Sequence, residues 1–178
     1  MLINIFPLIF ITGCSTNNTS IPFYNSPDFT PYFLSNGEVE EIISHKISDF
    51  SFINQNEKTI TNKEIEGKIH IANFMFTSCT SICPDMTGNM KLIEKAFSND
   101  PRVVILSYSV TPWIDTPDKL ADYVEFNDIK TNNWHFLTGS KNEIYSLARE
   151  SYFAEETMGF SKDSTDFLHT EYFILVDR

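Results

Sequence analysis

Residues 47–178 are predicted to form an α/β domain with a central sheet, flanking helices and an N-terminal β-hairpin. Two continuous apolar stretches, at 68–76 and 102–110, are typical of strands that are buried on both faces. A helical stretch follows each of them, and this alternation predicts parallel strand pairing with helices on both faces of the sheet. The chain has 178 residues, of which 42% are apolar, and this suffices for one domain plus a tail.

Local signals support each element in turn. The predicted elements are, in order, a hairpin at 50–53 and 58–61, a strand at 68–76, a helix at 84–98, a strand at 102–110, a helix from 116, a strand at 134–138, a helix at 140–152, a loop at 154–166 and a strand at 170–176. Pro84 suits the first turn of a helix, where its missing N–H costs nothing. Thr116 and Pro117 read as an N-cap and first helical position, and Ser140 with Glu143 reads as a capping box.

The first 13 residues are predicted to be a lipoprotein signal peptide. The apolar stretch at 1–11 is too short to cross a bilayer but long enough for a signal-peptide core. The sequence Ile11-Thr12-Gly13-Cys14 resembles the lipobox of bacterial lipoproteins, in which cleavage before the cysteine leaves its thiol to carry lipid. This resemblance implies lipidation of Cys14 and a membrane-anchored protein of the bacterial cell envelope, with its domain outside the cytoplasm. A plain signal peptide with an incidental cysteine is the alternative.

Residues 14–46 are predicted to be a membrane tether and lead-in to the domain. The stretch 15–37 is rich in Ser, Thr, Asn and Pro and shows no sustained period. Its aromatic residues indicate that part of it packs on the domain.

Composition excludes two classes of protein. The formal net charge of −11 argues against a nucleic-acid partner, because binding phosphates requires a basic surface. An ordinary transmembrane helix needs about 18 consecutive apolar residues, and the sequence contains no such run.

The cysteines are the candidate reactive residues of this sequence. If Cys14 carries lipid, Cys79 and Cys83 are the remaining thiols, and such an exported pair forms a disulfide, a metal site or both in turn. Where the second half of this segment is helical, side chains at i and i+4 share a face, with Cβ atoms about 5–6 Å apart. The helix N-terminus lowers the pKa of nearby thiols and favours the thiolate, which is both nucleophile and metal ligand. A cysteine pair between a buried strand and a helix start indicates a thioredoxin-like fold.

Four motifs then identify a family. They are NFMFTSC at 73–79 with Cys83-Pro84, SVTP at 109–112 with DTP at 115–117, WHFLTG at 134–139, and His169 just before EYFILVD at 171–177. Together they resemble the Sco/SenC family of copper-binding proteins from about residue 47 to residue 178. Thr111 stands where the family usually has Asp, and the stretch before His169 is shorter than is typical. The family's usual C-terminal strand and helix are absent, so we expect that this sequence lacks its natural C-terminus.

The resemblance implies a copper site formed by Cys79, Cys83 and His169. Two thiolates and one imidazole are soft ligands that suit Cu(I) and also hold Cu(II). The implied function is that of a copper chaperone whose partner is the copper-bearing subunit of cytochrome c oxidase or another copper protein. In the alternative, Cys79 and Cys83 act as a thiol–disulfide reductase that keeps the cysteines of that subunit reduced.

The cysteine pair also admits other interpretations. A structural disulfide and a redox or copper sensor are both compatible with the cysteine spacing. A peroxidase of the peroxiredoxin type is disfavoured, because Phe76 occupies the position of the proline that such a site places before Cys83. The other side chains that could donate to copper are expected to lie in the core or on the surface, namely His45, His70, His135, Met86 and Met90.

Overall fold

The computed structural model describes residues 21–130, 132–154 and 170–178. Its strands are β1 (Ser51–Asn54), β2 (Thr59–Thr61), β3 (Ile69–Met75), β4 (Val103–Ser109), β5 (Trp134–Thr138) and β6 (Ile174–Val176). Its helices are α1 (Asn36–Ile42), α2 (Cys83–Phe97), α3 (Pro117–Phe126) and α4 (Lys141–Ser146), which continues into a turn of π-helix at Leu147–Ser151. None of these described helices has the length and apolar character needed to cross a membrane.

The strands form one sheet in the order β2-β1-β5-β4-β3-β6. The central strands β3, β4 and β5 pair in parallel, whereas β1 is antiparallel to β5 and β6 is antiparallel to β3. The parallel pairing predicted from the alternation of strands and helices is therefore correct for the central strands and wrong for β6. Only the central strands are joined to a sheet neighbour by a helical crossover, and the parallel rule applies to such connections. The N-terminal hairpin of β1 and β2 is confirmed.

Two apolar layers, one on each face of the sheet, form the core. The layer under α2 and α3 contains Ile71, Met75, Cys83, Met90, Val103, Ile105, Leu120, Ile129, Trp134 and Phe136. The layer under α4 contains Phe50, Phe52, Ile60, Ala72, Phe74, Val104, Leu106, Tyr108, Val110, Leu137, Ile144, Tyr145, Leu147, Ala148, Tyr152 and Ala154. Successive side chains of a strand point to opposite faces, so the apolar sequences of β3 and β4 supply both layers, as predicted.

Of two N-terminal helix caps predicted from the sequence, one is confirmed and the other is wrong. At α3, the hydroxyl of Thr116 accepts a hydrogen bond from the N–H of Lys119 at 3.4 Å, and Pro117 opens the helix as predicted. At α4, the side chain of Ser140 makes no capping hydrogen bond, so the predicted capping box is wrong. The backbone carbonyl of Ser140 instead accepts from the N–H of Ile144 at 3.0 Å, and the first turn forms without the side chain.

The lead-in packs against the end of the π-helical turn. The ring of Phe29 lies 5.6 Å from that of Tyr24 and 6.4 Å from that of Phe153, measured between centroids. The Nε2–H of His45 donates to the carbonyl oxygen of Ser151 at 2.8 Å. The packing predicted from the aromatic residues of this stretch is thus confirmed, whereas the short helix α1 within it was not predicted.

A buried hydrogen-bond chain lies in the layer under α4. The Nε2 atom of His70 is 3.1 Å from the hydroxyl of Tyr152, which is 3.0 Å from the hydroxyl of Tyr108. Burial lowers the pKa of His70 to about 4, because the charged imidazolium would lose its hydration. Burial likewise raises the pKa values of both tyrosines. All three groups are therefore neutral in the folded protein near pH 7.

We expect the protein to lose stability as the pH falls from 6.5 toward 4. In this window the unfolded chain protonates His70 and the folded protein does not, so acid favours unfolding. With a pKa of 6.5 in the unfolded chain and about 4 in the folded protein, His70 alone removes about 2 kcal/mol of the free energy of unfolding between pH 7.5 and pH 5. Urea unfolding at the two pH values measures this loss, which should be smaller in His70→Gln. An equal loss in both proteins would contradict the prediction.

Candidate metal centre

The cysteine pair lies at the carboxyl end of the central parallel strands. β3 ends at Met75, residues 76–82 form a loop, and α2 begins at Cys83 with Pro84 in its first turn, as predicted. β4 ends alongside β3, where Met75 pairs with Ser109. The residues that follow these two strands therefore meet at one edge of the sheet.

Cys79 and Cys83 are brought into contact at this edge. Both are free thiols, and they lie close enough for each to shift the pKa of the other. Cys79 is half-buried, whereas Cys83 is only 4% exposed and belongs to the apolar layer under α2. Cys79 is therefore the sulfur of this pair that a partner molecule reaches first.

The two thiols differ in acidity. Burial acts to raise the pKa of Cys79, but it is outweighed by hydrogen bonds from the Cys83 side chain and from the backbone N–H groups of Ser81, Ile82 and Cys83, so that pKa is lowered. Burial, together with the hydrogen bond to Cys79 and the charge of that thiolate, raises the pKa of Cys83 to about 12. The pKa of the half-buried thiol is thus lowered while that of its buried neighbour is raised, an arrangement suited to one attacking thiol and one protected thiol.

A buried carboxylate, that of Asp115, binds the loop at 76–82 (the cysteine loop). Asp115 is 0% exposed, and its Oδ1 accepts a hydrogen bond from the hydroxyl of Thr77 at 2.6 Å. Its Oδ2 accepts from the backbone N–H of Thr77 at 3.2 Å, from the hydroxyl of Ser109 at 2.5 Å and from the hydroxyl of Thr111 at 3.0 Å. Asp115 therefore ties the loop that carries Cys79 to the residues at the end of β4.

The contact between Asp115 and Thr77 was missed in the sequence. Both residues lie in the motifs that identified the family, yet nothing in the motifs predicted that they touch. The available signal was positional, because polar residues follow two strands that were predicted to be parallel. The carboxyl ends of parallel neighbours share an edge, and this is where polar groups of α/β proteins assemble into sites.

Two predicted site residues, Cys14 and His169, lie outside the described residues. Within 21–130, 132–154 and 170–178, no group of three or more His, Cys, Asp or Glu side chains is arranged to hold a metal ion. The described part of the chain thus contains two of the three predicted copper ligands, Cys79 and Cys83, and these two are in contact.

The other potential copper donors have structural surroundings. His45 and His70 form the hydrogen bonds described above, and the Nδ1 of His135 accepts a hydrogen bond from a hairpin side chain at 3.2 Å. Met86 and Met90 are 5% and 0% exposed, respectively. These placements agree with the structural roles that the sequence predicted for all five residues.

The chemistry of the described donor set fits a soft metal ion. Two neighbouring sulfurs lie where N–H groups at the start of α2 favour the thiolate. Thiolate ligands select Cu(I), zinc and iron–sulfur centres over hard cations such as magnesium or calcium. The same two sulfurs are close enough to join in a disulfide after a small movement, so metal binding and thiol redox chemistry compete for one pair of atoms.

Comparison with known proteins places this fold in a family. The SCO1/SenC family model matches residues 40–178. The chain is 31% identical over 141 residues to the SCO1 protein homolog of Bacillus subtilis, covering 78% of this chain and 72% of that protein. It resembles the structure of BsSco, a member of the Sco family of cytochrome c oxidase assembly proteins in which a disulfide switch was identified. That match has a TM-score of 0.57 and 34% identity, covering 64% of this chain and 68% of BsSco.

A second solved structure is similar over a longer stretch. The crystal structure of yeast Sco1 with copper bound matches with a TM-score of 0.56 and 25% identity, covering 75% of this chain and 74% of that one. The thioredoxin-like fold predicted from the sequence is thus confirmed. Because the family model matches the sheet, its helices and the cysteine loop together, this chain belongs to the SCO1/SenC family.

Proposed function

We propose that this chain is a copper chaperone that binds copper through Cys79, Cys83 and His169 and assists copper-site assembly of cytochrome c oxidase. The observation that carries the proposal is the contact between two free thiols at the start of α2. Two relatives support it, because yeast Sco1 was solved with copper bound and BsSco belongs to a family of cytochrome c oxidase assembly proteins.

The proposed ligands combine soft sulfur with one imidazole. Such a low-coordinate set suits Cu(I), also holds Cu(II), and differs from the closed four-ligand sites of structural zinc. A bound copper ion would supply the positive charge that stabilises both thiolates, including that of Cys83 with its raised pKa. Because both thiols must lose their protons, copper affinity is expected to rise with pH. The partial exposure of Cys79 gives ligands of a partner access to the cargo.

A second candidate function is a thiol–disulfide reductase that keeps the copper-ligand cysteines of the oxidase subunit reduced. The difference between the two thiols favours it, because the more acidic and more exposed Cys79 is suited to attack a partner's disulfide. Cys83 would then displace the partner's sulfur from the mixed disulfide. The Cys79–Cys83 disulfide forms, the partner's disulfide breaks, and its two sulfurs leave as thiols.

We further propose that the domain at 47–178 is held at a membrane by its N-terminal segment. The support is the signal-peptide pattern of residues 1–13 and the lipobox-like sequence that ends at Cys14. Residues 14–46 would then connect the lipid anchor to the domain, which would lie outside the cytoplasm.

Copper stoichiometry and the Cu(II) absorption spectrum test the chaperone proposal. The sample is the full chain carrying Cys14→Ser and reduced beforehand, so that only Cys79 and Cys83 supply thiols. We expect one copper ion per chain and a thiolate-to-copper charge-transfer band. His169→Ala should weaken Cu(II) binding most, because two thiolates still hold Cu(I). His135→Gln is the matched control, since His135 lies near the amino end of β5, at the sheet edge away from the cysteine loop.

Three outcomes of this experiment are decisive. Loss of the band in His169→Ala but not in His135→Gln would support the three-ligand site. If His169→Ala bound both oxidation states as the control does, the third ligand would be wrong. If the chain retained no copper but formed a reversible Cys79–Cys83 disulfide, the reductase would replace the chaperone as the proposed function.

A further inference from the structure

We propose that Asp115 is a positioning residue for the cysteine pair. By holding Thr77, it fixes the loop that carries Cys79 beside Cys83, and it thereby promotes both disulfide closure and the shared binding of a cation. This inference rests on the proposed function, because it concerns the same two thiols.

Asp115 uses both oxygens of its carboxylate on one loop residue. Oδ1 accepts from the Thr77 hydroxyl at 2.6 Å, and Oδ2 accepts from the Thr77 backbone N–H at 3.2 Å. Thr77 lies two residues before Cys79, whose own N–H bonds to the carbonyl of Phe76 at 3.3 Å. Hydrogen bonds to a charged acceptor are about twice as strong as neutral ones. The loop is therefore held from Phe76 through to Cys79.

The carboxylate is itself rigidly placed. Its backbone N–H bonds to the carbonyl of Thr111 at 2.9 Å, and the N–H of Thr111 bonds to the hydroxyl of Ser109 at 3.1 Å. Both Ser109 and Thr111 are buried and also donate their hydroxyls to Asp115. A buried polar network with every member satisfied has one strongly preferred arrangement. Thr77 is thus attached to a fixed point at the end of β4.

The negative charge of Asp115 is expected to attract a cation bound by the cysteine pair. Among the described residues its four hydrogen-bond donors are neutral and it forms no ion pair. A buried carboxylate without a cationic partner is costly, and its field is screened less than that of a surface charge. The carboxylate is bonded to Thr77, two residues before Cys79, so its charge lies next to the loop that carries Cys79. A cation held between the two sulfurs would therefore be attracted to Asp115 as well as to its ligands.

Equilibration with glutathione measures the positioning effect without any metal. Oxidised glutathione accepts two electrons from the pair, its S–S bond breaks, and two glutathione thiols leave with the two protons as the Sγ–Sγ bond of Cys79 and Cys83 forms. Full-length chains carrying Cys14→Ser are equilibrated at a series of glutathione ratios, and the free thiols are counted. We expect Thr77→Val to lower the equilibrium constant for closure about tenfold, the worth of one hydrogen bond to a charged group, and Asp115→Asn to lower it at least as much.

Matched variants separate positioning from a general loss of structure. Asp122→Asn removes the same charge from an exposed position on α3 and should leave the constant unchanged. Thr77→Ser keeps both donors to Asp115 and should restore the wild-type constant. If Asp115→Asn does not fold, the comparison of Thr77→Val with Thr77→Ser decides the question alone.

Copper titration of the same variants tests whether the negative charge of Asp115 strengthens copper binding. Asp115→Asn should weaken copper binding more than Thr77→Val, because only the first removes the negative charge. Equal copper affinities in Asp115→Asn and Asp122→Asn would overturn the role of Asp115. So would a wild-type equilibrium constant for disulfide closure in both Asp115→Asn and Thr77→Val. Either result would leave the proposed function intact. Both proposals would be overturned if Cys79 and Cys83 of the wild-type protein stayed reduced at every glutathione ratio and the chain also bound no copper.

Discussion

Cys79→Ser and Cys83→Ser are each expected to abolish stoichiometric copper binding. Each variant leaves one thiolate where the proposed site has two, and a hydroxyl does not replace a soft sulfur ligand for Cu(I). Loss of a residue that merely supports a metal ligand costs about 10- to 100-fold in affinity, so loss of the ligand itself should exceed about 100-fold. Copper retained after gel filtration of each reduced variant, in the Cys14→Ser background, measures the effect.

Met86→Leu is the control for this pair of variants. Met86 lies one turn after Cys83 on α2 and is 5% exposed, so the change removes a neighbouring sulfur while keeping a buried apolar side chain. It should retain one copper ion per chain. If either serine variant bound copper as well as Met86→Leu does, the cysteine pair would not be the binding site.

Alkylation is expected to modify Cys79 much faster than Cys83. The pKa of Cys83 is raised to about 12, whereas that of Cys79 is lowered from 9.0, so at pH 7 their thiolate fractions differ by about 1,000-fold or more. The greater nucleophilicity of the more basic thiolate offsets about 20-fold of this, which leaves a rate ratio of roughly 50-fold before burial is considered. Burial of Cys83 at 4% exposure should widen the ratio further.

Peptide mass spectrometry after short exposure to iodoacetamide checks this ratio. The rate at Cys79 should level off below pH 9, because its pKa is lowered from 9.0, whereas the rate at Cys83 should still be rising there. Cys79→Ser provides the control for Cys83 without its neighbouring thiol, and there the pKa of Cys83 should fall because the charge of the Cys79 thiolate is gone. Equal labelling of the two cysteines in the wild-type chain would contradict the assignment of Cys79 as the attacking thiol.

Most of the sheet could be predicted from the sequence because its central strands are apolar throughout. The predicted strands at 68–76 and 102–110 correspond to β3 (Ile69–Met75) and β4 (Val103–Ser109), and the prediction at 134–138 matches β5. The last strand was predicted at 170–176, but β6 spans only Ile174–Val176 at the edge of the sheet. Leu175 is 58% exposed there, which shows that apolar sequence at an edge does not ensure burial.

The parts that could not be predicted depend on contacts between distant residues. The cysteine pair is local, because a strand, a short loop and a helix start place i and i+4 together. The contact between Asp115 and Thr77 joins positions 38 residues apart and depends on the register of β3 against β4. Helix α1 has only seven residues, and its start depends on Glu38, which accepts hydrogen bonds from the N–H and hydroxyl of Ser35 at 2.9 and 2.7 Å.

X-ray absorption at the copper edge of the Cu(I)-loaded chain is the direct test of the three-ligand copper site, because it counts the sulfur atoms bound to the metal. We expect two sulfur neighbours and one nitrogen neighbour in the Cys14→Ser chain. His169→Ala should lose the nitrogen and keep both sulfurs. A spectrum with one sulfur or none, or a nitrogen neighbour that persists unchanged in His169→Ala, would contradict the proposed site.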